Sequence, residues 1–406
     1  MWETIKVGCV ILYSQATMLI PSYLRNNFET PSYDFITKCC IFNFGFMFFQ
    51  NVLYRYLPSM KMYGSITPAG NTPVYRNNGL LSWFLTLYFQ YFVMHEFFTL
   101  SELKQLIDSM NGFHWSLNLV GFHVSFLMYC RYLFNDEKDM SEPVRTGNFL
   151  KDFYKGIELH PRTFYGDDIK LLINSRFGMM LWGCIVFLVM YVSESITVMT
   201  SGAIQLMYIT KFFAWEDGYV KTSDITMDRC GYYLFWGCIC YVPTFYTSPI
   251  IYHYYNPVEI TPTTSVTMMV LGYFAIILNW KCDTYRTITR EFAESNPEIA
   301  RKRPLEFIEA EYETSDGKKN TNWLISSGFY KHCRHPSYFF EIFTTILWTL
   351  PGYVPTDLIC YMYLIFLTVL LLHRTDRIDK KCLEKYKEYW IRYKIFVPYK
   401  MIPLLY

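Results

Sequence analysis

Four arginines, Arg286, Arg334, Arg374 and Arg377, stand near the ends of apolar stretches in the C-terminal third of the sequence, and Tyr330, Tyr338, Tyr386 and Tyr393 lie among them. A guanidinium meets a phosphate through paired, charge-assisted hydrogen bonds, and a phenol ring offers a face for stacking, so together the set suits a phosphate-bearing, stackable ligand. Taken singly, each arginine also reads as an interfacial anchor whose stem lies along apolar surface. A second set lies upstream. It comprises Glu158 in GIELHPR, then Glu216, Asp224 and Asp228 in WEDGYVKTSDITMDRCG. Carboxyls at or just outside apolar spans are costly and mark functional sites by default. The competing reading pairs them with Arg162, Arg176, Lys221 and Arg229 as interfacial ion pairs. Tyr246, in the apolar run YVPTFYTSP, can donate a hydrogen bond or a proton inside an apolar cavity, although a buried tyrosine can equally be packing alone.

The common signatures are missing. No GxGxxG follows a strand, and neither GxxxxGK[ST] nor HExxH occurs, so an anionic dinucleotide entering this chain would be met by side-chain cations rather than by a Rossmann helix terminus. The eight histidines are scattered, with only His332 and His335 close together, and no metal is expected. Twelve cysteines without a CxxC pair fit neither a disulfide framework nor a zinc ribbon. They read as small buried hydrophobes. A net charge of +2 gives no ground for a nucleic-acid partner.

These residues are carried by a chain that is 52% hydrophobic and 20% aromatic, with the apolar material in long blocks. About twenty apolar residues cross a bilayer, and blocks of that order occur at 7–24, 38–57, 79–99, 113–134, 177–199, 202–215, 230–252 and 263–280. The start Met1-Trp2-Glu3-Thr4 reads as the lead into a first membrane helix rather than a removed signal. Two shorter blocks, 338–352 and 356–373, flank Pro351-Gly352 and predict a tight or re-entrant helical hairpin. The fold class is therefore all-α, a polytopic bundle of about ten membrane helices. An N-terminal bundle spans 1–280, and 281–406 supplies a polar loop, the hairpin and a tail. The loop 281–324 and the tail after the hairpin are both rich in Lys and Arg, which puts both on the cytosolic side. From Cys382 to Tyr393, Leu383, Tyr386, Trp390 and Tyr393 recur at helical spacing.

The stretches LISSGFYKHCRHPSY and LLLHRTDRIDKKCLEKYKEYWIRYKIFVPYKMIPLLY resemble the C-terminal end of the membrane sterol reductases. TPAGNTPVYRNNGLLSW (67–83), TGNFLKDFYKGIELHPR (146–162), DIKLLINSRFG (168–178), KTSDITMDRCGYYLFWG and VPTFYTSPIIYHYYNP resemble that family in the same order, from about residue 60 to the end. Within it, TPAGN and the loop RKRPLEFIEAEYETSDGKKNTNWLISSGF are most similar to the 7-dehydrocholesterol reductase branch. The resemblance implies NADPH as cofactor, a sterol substrate, and a multi-pass protein of an endoplasmic-reticulum-like membrane whose partners are lipids and other sterol-pathway enzymes. Carried over by motif, the cofactor residues are Arg286, Ile325, Tyr330, Ser337, Tyr338, Arg377, Asp379, Cys382, Leu383, Glu384, Lys385, Tyr386 and Tyr393.

Three departures stand out. The family's lysine four residues before Arg286 is Cys282 here, with Lys281 one residue away as a substitute. A tryptophan is replaced by Tyr330. The acidic position after Arg377 is Ile378, flanked by Asp376 and Asp379. The implied reaction adds a proton and a hydride across a ring double bond, and an acid kept protonated by burial, or a tyrosine, would supply the proton. The candidates are Tyr246, Asp228 and Glu216, with Tyr219 a fourth. Three other readings compete. One is a sterol reductase acting on a different double bond, delta-14 or delta-24(28). Another is an S-adenosylmethionine-dependent membrane methyltransferase, in which RHPSY followed by a hairpin also occurs. The third is a sterol-binding protein without catalysis.

Overall fold

A computed structural model describes residues 7, 11, 15, 31–67, 70–136, 140–313, 319–352 and 358–406. The expected span at 7–24 lies outside the described residues apart from Val7, Ile11 and Gln15. The chain is mostly helical, with two small antiparallel ladders that the all-α reading did not include. Among the described residues, five helices are long and apolar enough to cross a membrane: Tyr33–Tyr56, Ile169–Val192, Tyr232–Tyr255, Pro262–Ser295 and Leu358–Tyr386. The chain divides into two compact units, Met1–Ile260 with Pro351–Cys360, and Thr261–Leu350 with Tyr361–Tyr406.

The first unit contains α1 (Tyr33–Tyr56), a ladder of β1 (Met60–Tyr63) and β2 (Val74–Asn77), then α2 (Gly79–Phe97), α3 (Leu100–Asp108), α4 (Met110–Phe134) and α5 (Phe149–Lys155). It closes with α6 (Ile169–Val192), α7 (Ile196–Ala214) and α8 (Tyr232–Tyr255). Local chemistry sets several starts. Ser32 caps α1 by accepting from the Phe35 N–H, Thr99 and Glu102 form a reciprocal capping box on α3, and Asp168 caps α6 through the Leu171 N–H at 3.0 Å; each satisfies N–H groups that a helix start leaves unpaired. α6 and α8 each contain a π-helical stretch, Leu172–Met179 and Gly237–Tyr246, and the two stretches pack together. A Cβ on Gly178 would come within 2.5 Å of the Cys238 carbonyl oxygen, so only glycine admits this approach. Such widened turns redirect side chains and gather at functional positions.

The second unit contains α9 (Pro262–Ser295), β3 (Phe307–Glu313), β4 (Lys319–Ile325), α10 (Pro336–Thr349), α11 (Met362–Tyr386) and α12 (Glu388–Phe396). The region from 281 was expected to be a loop, yet α9 runs on through its polar half to Ser295. No glycine or proline falls between Lys281 and Asn296-Pro297, so nothing stops the helix in that half. β3 pairs with β4 from Phe307↔Ile325 to Glu313↔Lys319. One face of this hairpin, with Ile308, Ala310 and Leu324, shares a core with Tyr386, Trp390, Tyr393 and Val397; Phe307 and Trp323 form another with Ala293 and Ala300. Lys387 at φ +47° breaks α11 from α12. α10, at 14 residues, rises only about 21 Å, short of a bilayer's hydrocarbon thickness.

Candidate functional site

The polar half of α9 presents Asn279, Cys282, Asp283, Arg286 and Arg290 at intervals of three and four residues, which places them along one side of the helix. Arg286 faces Tyr330, Asp283, Tyr338 and Tyr393. Its carboxylate partner is Asp283, at 3.7 Å. One turn further on, Arg290 faces Arg286, Tyr386, Tyr330 and Tyr393. Its Nε is buried without a hydrogen-bond partner among the described residues. The tyrosines arrive from three other elements: Tyr330 from the 3-10 turn Gly328–Lys331, Tyr386 from the end of α11, and Tyr393 from α12. The Asn322 amide donates to the Tyr386 hydroxyl at 2.8 Å, and Trp390 and Tyr393 pack ring on ring at 5.0 Å. Burial holds the Tyr330 and Tyr393 phenols well above their ordinary values, so both are neutral donors rather than phenolates.

His335 completes this surface. Its ring stacks on Tyr338 at 5.1 Å, its main-chain N–H donates to the Lys400 carbonyl at 2.8 Å, and burial together with Arg286, Arg334 and Lys400 pushes its pKa down to about 3. A neutral imidazole therefore sits among three cations. Arg334 is committed elsewhere: it donates to the Val397 and Pro398 carbonyls at 2.8 and 3.0 Å and lies 3.3 Å from Asp379, pinning the C-terminal tail.

The structure thus brings together Arg286, Tyr330, Tyr338, Tyr386 and Tyr393, with Cys382 beside Asp379 and Arg290. Ser337 is buried, and its carbonyl accepts from the Asn279 amide at 2.7 Å. Ile325 is buried and takes its place by closing the β3–β4 ladder against Phe307. Lys281, Arg377, Leu383 and Glu384 are exposed, while Lys385, also exposed, lays its ammonium 3.8 Å from the centre of the Tyr312 ring. Lys281 is one residue off the side of α9 that carries Cys282 and Arg286. Arg290 escaped the sequence reading, although its i, i+4 spacing from Arg286 was a signal that could have found it.

In the first unit the expected acids separate by environment. Glu216 is fully buried. It accepts from Arg176 Nη2 at 2.8 Å, from Ser175 Oγ at 2.9 Å and from the Gly79 N–H at 3.1 Å, and it forms a further, closer contact with Arg176 Nη1. Arg176 also donates to the Asn78 carboxamide oxygen at 3.1 Å and lies over the rings of Tyr54 and Phe213. This is a clamp joining α2, the π stretch of α6 and the segment after α7. Asp228 is half-buried; its main-chain carbonyl, with that of Ile225, takes the buried Lys170 ammonium at 2.6 and 2.7 Å. Tyr246 ends the π stretch of α8, half-buried, with its ring edge-on to Trp182 at 5.2 Å. Tyr219 packs against Phe212 at 4.8 Å in an apolar cluster with Tyr54 and Tyr75.

Glu158 has the environment an acid needs. Gly156, at φ +83°, lies so close to Cys230 and Gly231 that a Cβ there would come within 2.3 Å of main-chain atoms. The crossing lets the Cys230 N–H donate to the Glu158 carbonyl at 3.1 Å and fixes the carboxyl inside. Oε1 accepts from the Ser141 N–H at 3.0 Å, whereas Oε2 is buried without a hydrogen bond among the described residues. Burial raises its pKa, against the Ser141 N–H and Arg131. Nearby, His160 Nδ1 lies 3.5 Å from Asp168 and 3.4 Å from the Tyr75 hydroxyl.

A family model, the ergosterol biosynthesis ERG4/ERG24 family, matches residues 1–406. The chain is 36% identical over 369 residues to a 7-dehydrocholesterol reductase of Arabidopsis thaliana, covering 88% of this chain and 83% of that one. It is 31% identical over 377 residues to the 7-dehydrocholesterol reductase of Xenopus laevis, covering 89% and 78%. A Delta(14)-sterol reductase of Dictyostelium discoideum is 30% identical over 385 residues, covering 92% and 79%.

Proposed function

Since the chain belongs to the ergosterol biosynthesis ERG4/ERG24 family of sterol reductases, we propose that it reduces the ring B C7–C8 double bond of 7-dehydrocholesterol, or a related sterol, with NADPH. The observation that carries this reading is the tyrosine-lined arginine pair of the second unit. Among the described residues, a buried Arg290 Nε without a hydrogen bond and an Arg286 held by a single carboxylate are a donor set suited to an anion, and the surrounding phenols offer faces for a flat ring. The residues fit a phosphorylated dinucleotide. When bound, NADPH supplies the hydride.

This chain's own residues do the rest. Arg286 and its neighbours hold phosphate; Tyr330, Tyr386 and Tyr393 give the rings of the cofactor apolar faces and neutral donors; His335, kept uncharged, adds stacking surface without adding to the positive charge. The proton is assigned to Glu158, whose burial favours the protonated carboxyl, and Tyr246 is the alternate donor. Proton transfer to a ring B diene leaves an allylic cation, which is easier to form than an isolated one and is quenched by hydride. Glu216, clamped to Arg176, is left out of the chemistry. The protein is further proposed to reside as a multi-pass protein in an endoplasmic-reticulum-like membrane, with sterol and lipid as its partners.

The test is turnover. Membranes carrying the chain are incubated with 7-dehydrocholesterol and NADPH, in parallel with a delta-14 sterol, and the products are separated by gas chromatography. Conversion of the first to cholesterol supports the reading. Conversion of the delta-14 sterol alone moves the assignment to that double bond, as the likeness to the Dictyostelium protein would allow. Methyl transfer from S-adenosylmethionine without sterol reduction overturns it.

A further inference from the structure

Resting on the dinucleotide reading above, we propose that Arg290 joins Arg286 in a two-arginine cradle for a doubly charged phosphate, and that Arg290 thereby makes the site prefer the 2′-phosphorylated dinucleotide to its unphosphorylated counterpart.

The case begins with charge. Arg286 and Arg290 stand one turn apart on α9, where like charges repel. Among the described residues, Arg301, Arg303 and Arg334 each have a carboxylate within 4 Å, Glu309, Glu306 and Asp379 respectively. Arg286 has Asp283 at 3.7 Å. Among the described residues Arg290 has no ion pair, and a second cation, Arg286, and three neutral phenols, Tyr386, Tyr330 and Tyr393, face it. Cys382 lies beside it too, and Asp379, which also neighbours that thiol, is already paired with Arg334 at 3.3 Å. A desolvated guanidinium held beside another one, with a buried N–H left unused, is an arrangement that an arriving anion stabilises.

The amount of charge points to which anion. Two guanidinium groups with one carboxylate, Asp283 beside Arg286, leave a net positive charge of about one before any ligand arrives. A phosphodiester oxygen pair brings about one negative charge, which Arg286 alone matches. A phosphomonoester brings roughly −1.5 to −2 at neutral pH, with three acceptor oxygens, and needs both forks. In the two nicotinamide dinucleotides the monoester is the only group that differs, so the second arginine is the residue that reads it. The surrounding tyrosine hydroxyls can donate to the same oxygens but carry no charge to discriminate with.

The test is equilibrium binding to the purified full-length protein in detergent, followed by the fluorescence of the reduced nicotinamide. NADPH and NADH are titrated directly, and adenosine 2′-monophosphate and adenosine 5′-monophosphate are used as competitors. Arg290→Gln is expected to weaken NADPH about 10- to 100-fold, the loss of charge-assisted hydrogen bonds to one phosphate. NADH should change less than about twofold, and adenosine 2′-monophosphate should lose its advantage over the 5′ isomer. Arg290→Lys should restore part of the preference, because it restores charge without the planar fork. Equal losses for NADPH and NADH would overturn the proposal, as would an unchanged NADPH affinity. A native protein that binds neither dinucleotide would be a separate result, removing the dinucleotide reading itself along with this extension of it.

Discussion

Removing the carboxylate of Glu216 should unfold the first unit rather than slow a chemical step. Both Glu216 and Arg176 are fully buried, and the carboxylate takes donors from Gly79, Ser175 and Arg176. In Glu216→Ala the guanidinium keeps only the Asn78 and Ser175 oxygens and becomes a buried charge without a counter-ion. Hydrogen bonds to charged groups contribute about 1.5–3 kcal/mol each, but those of one network do not add, and breaking a buried pair from one side typically costs about 3–5 kcal/mol. The double variant Arg176→Met with Glu216→Leu removes both charges and leaves the Gly79 N–H and the Asn78 carboxamide to be satisfied, a cost nearer 1–3 kcal/mol. The assay is denaturation of purified protein in detergent, with all variants measured in parallel. The double variant should be more stable than Glu216→Ala. If Glu216→Gln unfolds like the native protein yet loses sterol turnover, the clamp reasoning is wrong and Glu216 belongs to the chemistry.

Four further outcomes are expected. Glu158→Gln should lower turnover by about 100-fold or more, the range for a lost general acid, with dinucleotide affinity unchanged, whereas Tyr246→Phe having the larger effect would move the proton to Tyr246. Because burial raises Glu158 above its ordinary 4.5, its contribution to stability is complete below that value and is lost as pH rises through the raised one; a denaturation midpoint followed against pH should flatten there in Glu158→Gln. His335 runs the other way: with its value pushed from 6.5 down to about 3, the folded state loses stability as pH falls from about 6.5 towards 3, and His335→Asn should reduce that slope. Glycosylation acceptors engineered between β3 and β4 and after Tyr406 should both stay unmodified in microsomes, and efficient modification of either would contradict a cytosolic location for these segments.

The helical body was legible because its signal is compositional: apolar blocks at 38–57, 79–99, 113–134 and 263–280 correspond to α1, α2, α4 and the first half of α9. What composition cannot carry is where a helix continues once its hydrophobic pattern ends, and so the polar half of α9, which bears Arg286 and Arg290, read as loop. The π stretches of α6 and α8 leave no sequence period of their own, yet they aim Ser175, Arg176 and Tyr246. For the candidate site, residue type found the arginine and tyrosine set, but partners decided roles. Arg334 looked equivalent to Arg286 until the Val397 and Pro398 carbonyls claimed it. Glu216 and Glu158 are both buried glutamates, and only their neighbours separate the carboxylate clamped to Arg176 from the one proposed as the acid. Arg377 matched a motif but is exposed, while Arg290 matched none and lies beside Arg286.

The central claim, reduction of a sterol double bond by hydride from NADPH and a proton from a buried acid, is tested most directly by isotope tracing. Membranes carrying the protein are given 7-dehydrocholesterol with NADPH deuterated at the transferable position in ordinary water, and in a parallel reaction unlabelled NADPH in deuterium oxide. The account predicts cholesterol with one deuterium from the cofactor in the first reaction and one from solvent in the second, at the two carbons of the reduced bond. Cholesterol that gains no deuterium from the labelled cofactor, or none from the solvent, would contradict it.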